Sequence, residues 1–156
     1  MRQGKALYVG ISRWPLKALQ YAAEYLKAHD VPLLTYQGRL NLLDRAVEEE
    51  GILQEVEKIG CGFVSFSPLA QGLLTERYLH GIPADSRMRT DVTLKKSTLT
   101  PELLEQLYQL KAEAEKDGLT LPQYALQWVL KHPAVTSVIV GVSKVEQLEE
   151  NIKFKY

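Results

Sequence analysis

Four short stretches of this chain carry residue types that could do chemistry, and each follows an apolar run. Gly141-Val142-Ser143-Lys144 opens a helical pattern. Free backbone N–H groups at a helix start carry partial positive charge and a lysine adds a full one, so the stretch suits a phosphate. On the residues alone a ligand-free alternative is stronger: Ser143 and Glu146 have capping-box spacing. Phe66-Ser67-Pro68-Leu69-Ala70-Gln71-Gly72 offers a flat ring, a hydroxyl and small residues that admit a close backbone approach. That suits a planar ring and its pyrophosphate, or an ordinary turn whose aromatic belongs to the core. Ser12 and Arg13 are a hydrogen-bonding pair for an amide or phosphate, or a cap for the helix that starts near Pro15. Gln37 is a polar anchor in a pocket, or a loop residue bonded to backbone.

Other reactive types read as structural. His80 lies in a polar loop and is expected to be solvated. Cys61 stands at a strand start, where a thiol packs as a small apolar group. Tyr8 and Tyr36 fall within strands and are expected to pack, and Glu48-Glu49-Glu50 is a solvated helix start. Neither a P-loop, G-x-G-x-x-G, H-E-x-x-H nor G-x-S-x-G occurs, so those chemistries have no support.

The elements that must position these stretches alternate in type. Ala6–Ile11, Val31–Tyr36, Gly62–Phe66 and Val135–Val140 read as buried strands. Between the first two, Leu16, Leu19, Ala23 and Leu26 recur at helical spacing over Pro15–His29. Val47–Ile59 is a second helix stopped by Gly60. Gly72–Leu99 is a long polar segment with Gly81, Pro83, Ser86, Arg87 and Arg89, of a length usually reserved for function or disorder. Thr100-Pro101 opens a helix that Asp117-Gly118 closes. Thr120 and Gln123 have capping-box spacing at the start of another, which runs to His132, and Ser143–Phe154 is the last. This alternation predicts an α/β fold with right-handed crossovers and a parallel sheet, in which chemistry gathers at the carboxyl ends of the strands.

Composition narrows the function further. The 156 residues predict one domain spanning 1–156, with no linker or repeat. Lys+Arg and Asp+Glu are 19 each, so bulk charge gives no footing for nucleic acid. One cysteine cannot form an internal disulfide, and three scattered histidines suggest no zinc site. No apolar stretch stands behind Met1-Arg2-Gln3-Gly4-Lys5 and no run reaches a membrane span, so neither signal peptide nor membrane is expected. A cytoplasmic, soluble, folded domain is the expectation.

Read together, the strand ends resemble one family. Gly4-Lys5, Tyr8-Val9-Gly10-Ile11-Ser12, Ser67-Pro68-Leu69-Ala70-Gln71-Gly72-Leu73-Leu74-Thr75, Gly81-Ile82-Pro83, Gly141-Val142-Ser143 and Glu146-Gln147-Leu148-Glu149-Glu150-Asn151 are similar to the aldo-keto reductases. Within that family the chain is most similar to the branch of bacterial L-glyceraldehyde 3-phosphate reductases and potassium-channel β subunits. The resemblance runs along essentially the whole chain. It implies a (β/α)8 TIM barrel with NADP(H) across its carboxyl face, of which this chain matches the C-terminal half, strands five to eight. It implies that Ser12, Arg13 and Gln37 hold the nicotinamide carboxamide side and that Phe66 stacks on the ring. Ser67, Leu69, Ala70, Gly72, Thr75 and Arg77 would line the pyrophosphate path, with Arg87 near the phosphates. Gly141, Ser143 and Lys144 would meet the 2′-phosphoribose, and Gln147, Glu150 and Asn151 the phosphate and adenine. Lys144 and Arg87 favour NADP(H) over NAD(H).

The resemblance also implies what is missing. The family's catalytic Asp, Tyr, Lys and His belong to strands with no counterpart here, and no tyrosine matches the proton-donor motif. The expectation is a cofactor-binding half, inactive alone, in a family that reduces aldehydes such as glyceraldehyde 3-phosphate or methylglyoxal. Half a barrel leaves two open strand edges and an uncovered apolar face, so self-association or a complementary N-terminal half is expected. A non-catalytic nucleotide-binding or regulatory module is the alternative. An unrelated flavodoxin-like domain should carry an acidic pocket or phosphate loop after its first strand, which instead ends Ser12-Arg13-Trp14.

Overall fold

Parallel pairing in sequence order builds one sheet from β1 (Val9–Ser12), β2 (Leu33–Arg39), β3 (Gly62–Phe66) and β4 (Val135–Ile139). The computed structural model describes residues 1, 3–84, 86–90 and 94–154, with the side chains of Arg87 and Thr90 outside that description. The helices are α1 (Leu16–Ala28), α2 (Ala46–Glu49), α3 (Ile52–Ile59), α4 (Arg87–Thr90), α5 (Pro101–Lys116), α6 (Leu121–Leu130) and α7 (Val145–Asn151). The α/β alternation and parallel sheet expected from the sequence are therefore present.

Contacts divide the chain into two compact units, Met1–Pro68 with Trp128–Gly141, and Leu69–Gln127 with Val142–Tyr156. The first holds the sheet. Ile11, Tyr36, Phe63 and Val135 align across its helix-covered face, and Tyr36, Phe63 and Val135 join Leu19, Leu53 and Val56 in a buried core. The Tyr36 and Phe63 rings stack with centroids 5.8 Å apart. A Cβ at Gly38 would lie 2.8 Å from Phe63 Cζ, so the missing side chain makes room for that ring. Ser12, Gln37, Val64 and Ser137 align on the opposite face, with Arg39, Phe66 and Ile139 one row beyond. On α1, Gln20 Nε2 donates to Glu55 Oε2 of α3 at 3.0 Å, joining the two helices.

In the second unit Leu74, Tyr78, Met88, Leu94, Leu107 and Ala114 are buried. The segment 72–99 thus contributes core residues of its own, among them Tyr78 in the short turn Glu76–Tyr78, Met88 in α4 and Leu94. Tyr108 Oη donates to the Leu79 carbonyl at 2.6 Å. Thr100 caps α5, its Oγ1 accepting from Leu103 N at 3.2 Å.

Several boundaries differ from the sequence reading. β1 begins at Val9 because its neighbour β2 starts there in register, at Leu33, and Tyr8 is 70% exposed rather than packed. β2 continues past Tyr36, where the apolar run stops, to Arg39, because the open face of this strand is polar at Gln37 and Arg39. The helix read over Val47–Ile59 is two, broken at Gly51, whose φ of +77° is left-handed backbone that glycine adopts at little cost. α7 is shorter than the Ser143–Phe154 pattern. Among the described residues no helix is long and apolar enough to cross a membrane.

Candidate functional site

The carboxyl ends of β1 and β2 carry the first group of residues. Ser12 and Gln37 face each other on one rung, and Ser12 Oγ donates to Gln37 Oε1 at 3.2 Å. Arg13 N donates to the Gln37 carbonyl at 2.9 Å, with Arg13 turned to a φ of 58°. Neither Ser12 nor Arg13 caps α1: its N-cap is Pro15, which has no side-chain bond. Gln37 is a strand residue, so its amide is held at the end of the sheet rather than on a loop.

Phe66 ends β3 half-buried, and the Arg39 guanidinium lies over its ring, 5.6 Å from the centroid. Arg39 Nη1 also reaches Asp44 Oδ2 at 3.5 Å. Ser67 follows with a φ of 52°, left-handed backbone that costs a non-glycine residue about 1–2 kcal/mol. Asn41 holds it there. Its Nδ2 donates to the Ser67 carbonyl at 3.0 Å and its Oδ1 accepts from Leu43 N at 2.9 Å, in a side chain 1% exposed. Ser65 Oγ adds a bond to the Leu40 carbonyl at 2.9 Å. Asn41 and Arg39 escaped the sequence reading. The available signal was an asparagine two residues before an amide, the Asx-turn spacing, just past a strand.

The same unit contains a cleft of about 330 Å³ lined by Arg13, Trp14, Tyr36, Arg39, Asp44 and Glu50, among others. Tyr36 Oη donates to the Trp14 carbonyl at 2.7 Å. Burial, and then the Glu50 charge, push its phenol above the usual range against the pull of Arg13, so it keeps its proton at neutral pH. Cys61 is buried and its thiol is likewise pushed up by burial, which leaves it a packing group. Gly141 lies past the end of β4, exposed.

The second unit carries the rest. Ala70, Gln71 and Gly72 have φ of 47°, 58° and 97°, three successive left-handed residues. Gly72 N donates to the Leu69 carbonyl at 2.8 Å. Thr75 Oγ1 donates to the Gly72 carbonyl at 2.7 Å and accepts from Arg77 N at 3.3 Å. Arg77 is exposed, as is His80. Arg87 starts α4, and its side chain lies outside the described residues. Ser143 does not form the expected capping box with Glu146. Its N and Oγ both donate to Gln147 Oε1, at 2.9 and 3.1 Å. The N-cap is Lys144, so the residue three positions on, able to reach back, is Gln147. Lys144 is exposed. Glu150 Oε2 accepts from Lys153 Nζ at 3.2 Å, and Asn151 is buried.

Hydrogen bonds thus join predicted residues in local groups: Ser12 and Arg13 with Gln37 in the first unit, and Gly72, Thr75 and Arg77, and separately Ser143 and Gln147, in the second. Among the described residues no cluster of His, Cys, Asp and Glu could hold a metal ion. The family model described as "Aldo/keto reductase family" matches residues 1–155.

The chain belongs to the aldo-keto reductase family.

It is similar to the L-glyceraldehyde 3-phosphate reductase of Escherichia coli, at 44% identity over 98% of this chain and 45% of that protein. It is also similar to a putative voltage-gated potassium channel subunit beta of Schizosaccharomyces pombe, at 37% identity over 98% of the chain and 46% of the relative. Among solved structures it is similar to a thermostable aldo-keto reductase in complex with the inhibitor epalrestat. The TM-score is 0.67 and the identity 27%, over 97% of this chain and 44% of that one. The chain therefore spans slightly less than half the length of these aldo-keto reductase relatives.

Proposed function

We propose that this chain is the C-terminal, cofactor-binding half of an aldo-keto reductase barrel and that its ligand is NADP(H). The observation that carries the reading is the Ser12–Gln37 pair at the strand ends. Gln37 Oε1 takes the Ser12 hydroxyl, the amide's Nε2 remains a donor, and a donor beside a hydroxyl complements a carboxamide. Arg13 completes that end, and the Phe66 ring offers the apolar face on which a nicotinamide stacks. Ser67, Leu69, Ala70, Gly72, Thr75, Arg77 and Arg87 serve the pyrophosphate. Gly141, Ser143, Lys144, Gln147, Glu150 and Asn151 serve the 2′-phosphoribose and adenine.

Bound NADPH supplies a hydride. The chain's own residues bind and orient; with no match to the family's proton-donating tyrosine, they do not protonate a carbonyl oxygen. The chain alone is inactive, and activity with an aldehyde returns only with the complementary half. Among the described residues β1 and β4 are the outer strands of the sheet, and sheet edges invite a further strand. The chain accordingly associates with itself or with an N-terminal half, and acts in the cytoplasm.

Calorimetric titration with NADPH and NADH tests the reading. Selective binding of NADPH is expected, with no turnover of glyceraldehyde 3-phosphate or methylglyoxal. Absence of binding sinks the cofactor site, and turnover near 1 per second or more, an ordinary enzymatic rate, sinks the inactive half. Light scattering after size exclusion should show more than a monomer. A second reading, a regulatory nucleotide-binding module, draws on the similarity to the putative channel subunit beta. A partner that co-purifies and responds to cofactor would favour it.

A further inference from the structure

Gln123 sits in the first turn of α6, a residue 7% exposed, and it joins three groups of the second unit. Its Oε1 accepts from Thr120 N at 3.1 Å. Its Nε2 donates to the Glu150 carbonyl at 2.9 Å and to Glu150 Oε1 at 3.1 Å. In a complete capping box the Thr120 hydroxyl would bond the helix start in return, but Thr120 Oγ1 is buried with no hydrogen-bond partner. The box is half built, and the other half of the Gln123 side chain is turned to α7.

The residue type matters here. A glutamate at position 123 would satisfy the Thr120 amide as well as glutamine does. Only an uncharged amide can also donate to a carbonyl and a carboxylate. Glu150 Oε2 meanwhile accepts from the exposed Lys153 Nζ at 3.2 Å, so both carboxylate oxygens have a donor, the less exposed one from α6 and the other from just beyond α7. Each oxygen keeps a lone pair for a further N–H donor.

We infer that Gln123 is a positioning residue that fixes the Glu150 carboxylate, and through it the adenine end of the cofactor site. The inference rests on the proposed NADP(H) reading, in which Glu150 and Asn151 meet the adenine. Gln123 itself touches no part of the cofactor. It removes the freedom that Glu150 would otherwise lose on binding, and such preorganisation raises affinity without adding a contact.

The test uses the whole chain and two fragments of the cofactor, adenosine 2′,5′-bisphosphate and nicotinamide mononucleotide. Gln123→Ala should weaken the bisphosphate about tenfold, the scale of one net hydrogen bond, and leave the mononucleotide within about twofold. Gln123→Glu keeps the acceptor for Thr120 and sets a second carboxylate against Glu150, with Lys153 the cation facing the pair. Its bisphosphate affinity should be low at neutral pH and recover as acid lets the two carboxylates share a proton. A residue that only supports the fold would lower the melting temperature, affect both fragments alike and show no such recovery. Equal bisphosphate affinity of Gln123→Ala and the parent chain overturns the inference. If the parent chain binds neither fragment, the NADP(H) reading fails, and amide hydrogen exchange over 145–151 decides the positioning role by itself. Faster exchange there in Gln123→Ala, with α1 unchanged, supports it, and unchanged exchange overturns it.

Discussion

Tyr36 donates its hydroxyl to the carbonyl of Trp14 at 2.7 Å, across 22 residues of chain. Tyr36 belongs to the core through its ring, so this bond ties the stretch that leaves β1 at Ser12 and continues through Arg13 to the buried core under the sheet. Tyr36→Phe keeps the ring and leaves the Trp14 carbonyl without its donor. A loss of about 1 kcal/mol is expected in denaturant unfolding. The phenol's ionisation is raised in the fold, first by burial and then by Glu50. Its contribution is therefore complete below the ordinary tyrosine range and fades as pH rises through the raised value. Tyr36→Phe should flatten that alkaline loss. An alkaline limb identical in both proteins would show that Tyr36 is not its source.

Asn41→Ala should be more costly. It unpairs the Ser67 carbonyl and Leu43 N together, in a site where the parent side chain is almost wholly buried. Unsatisfied buried groups cost about 1–3 kcal/mol each, and the left-handed backbone at Ser67 loses its clamp. The midpoint of urea unfolding measures the loss. If cofactor binds as proposed, affinity should fall as well, because Ser67 stands on the pyrophosphate path.

Ser12→Ala frees Gln37 Oε1 from its partner, and Gln37→Leu removes the amide. Each should weaken NADPH about tenfold in calorimetry, the effect of one net hydrogen bond. The double variant should be weakened by less than the product of the two, since the residues act as a pair. Independent, fully multiplicative losses would show that the pair does not work as a unit.

Lys144→Glu exchanges an exposed cation for an anion at the start of α7. In the proposed site it faces the 2′-phosphate, so NADPH should weaken much more than NADH. The difference should shrink as salt is raised, because exposed charges are screened over about 8–10 Å at moderate ionic strength. Equal losses for the two nucleotides would show that Lys144 does not read that phosphate.

The local sequence carried much of the architecture. Phe63 and Phe66 bound an apolar run whose strand limits, Gly62–Phe66, were legible without the structure, because Gly60 stops the helix before it and Pro68 ends the strand after it. Thr100 was legible as a cap for the same reason: an N-cap bond spans three residues, within reach of any local pattern. Gln37 and Arg39 were not legible as strand, since their polarity reflects a sheet face that local apolar content cannot assign.

What the sequence determined by itself is the alternation of strand and helix, the parallel sheet that follows from it, and the family. All of these depend on periodicity and short motifs, which are properties of neighbouring residues. Tertiary structure decided which side chains hold others in place. Asn41 meets Ser67 over a separation of 26 residues, and Gln123 meets Glu150 over 27. Such pairs are selected by strand register and helix packing, which bring distant residues within hydrogen-bond range and leave no mark on the spacing of either one.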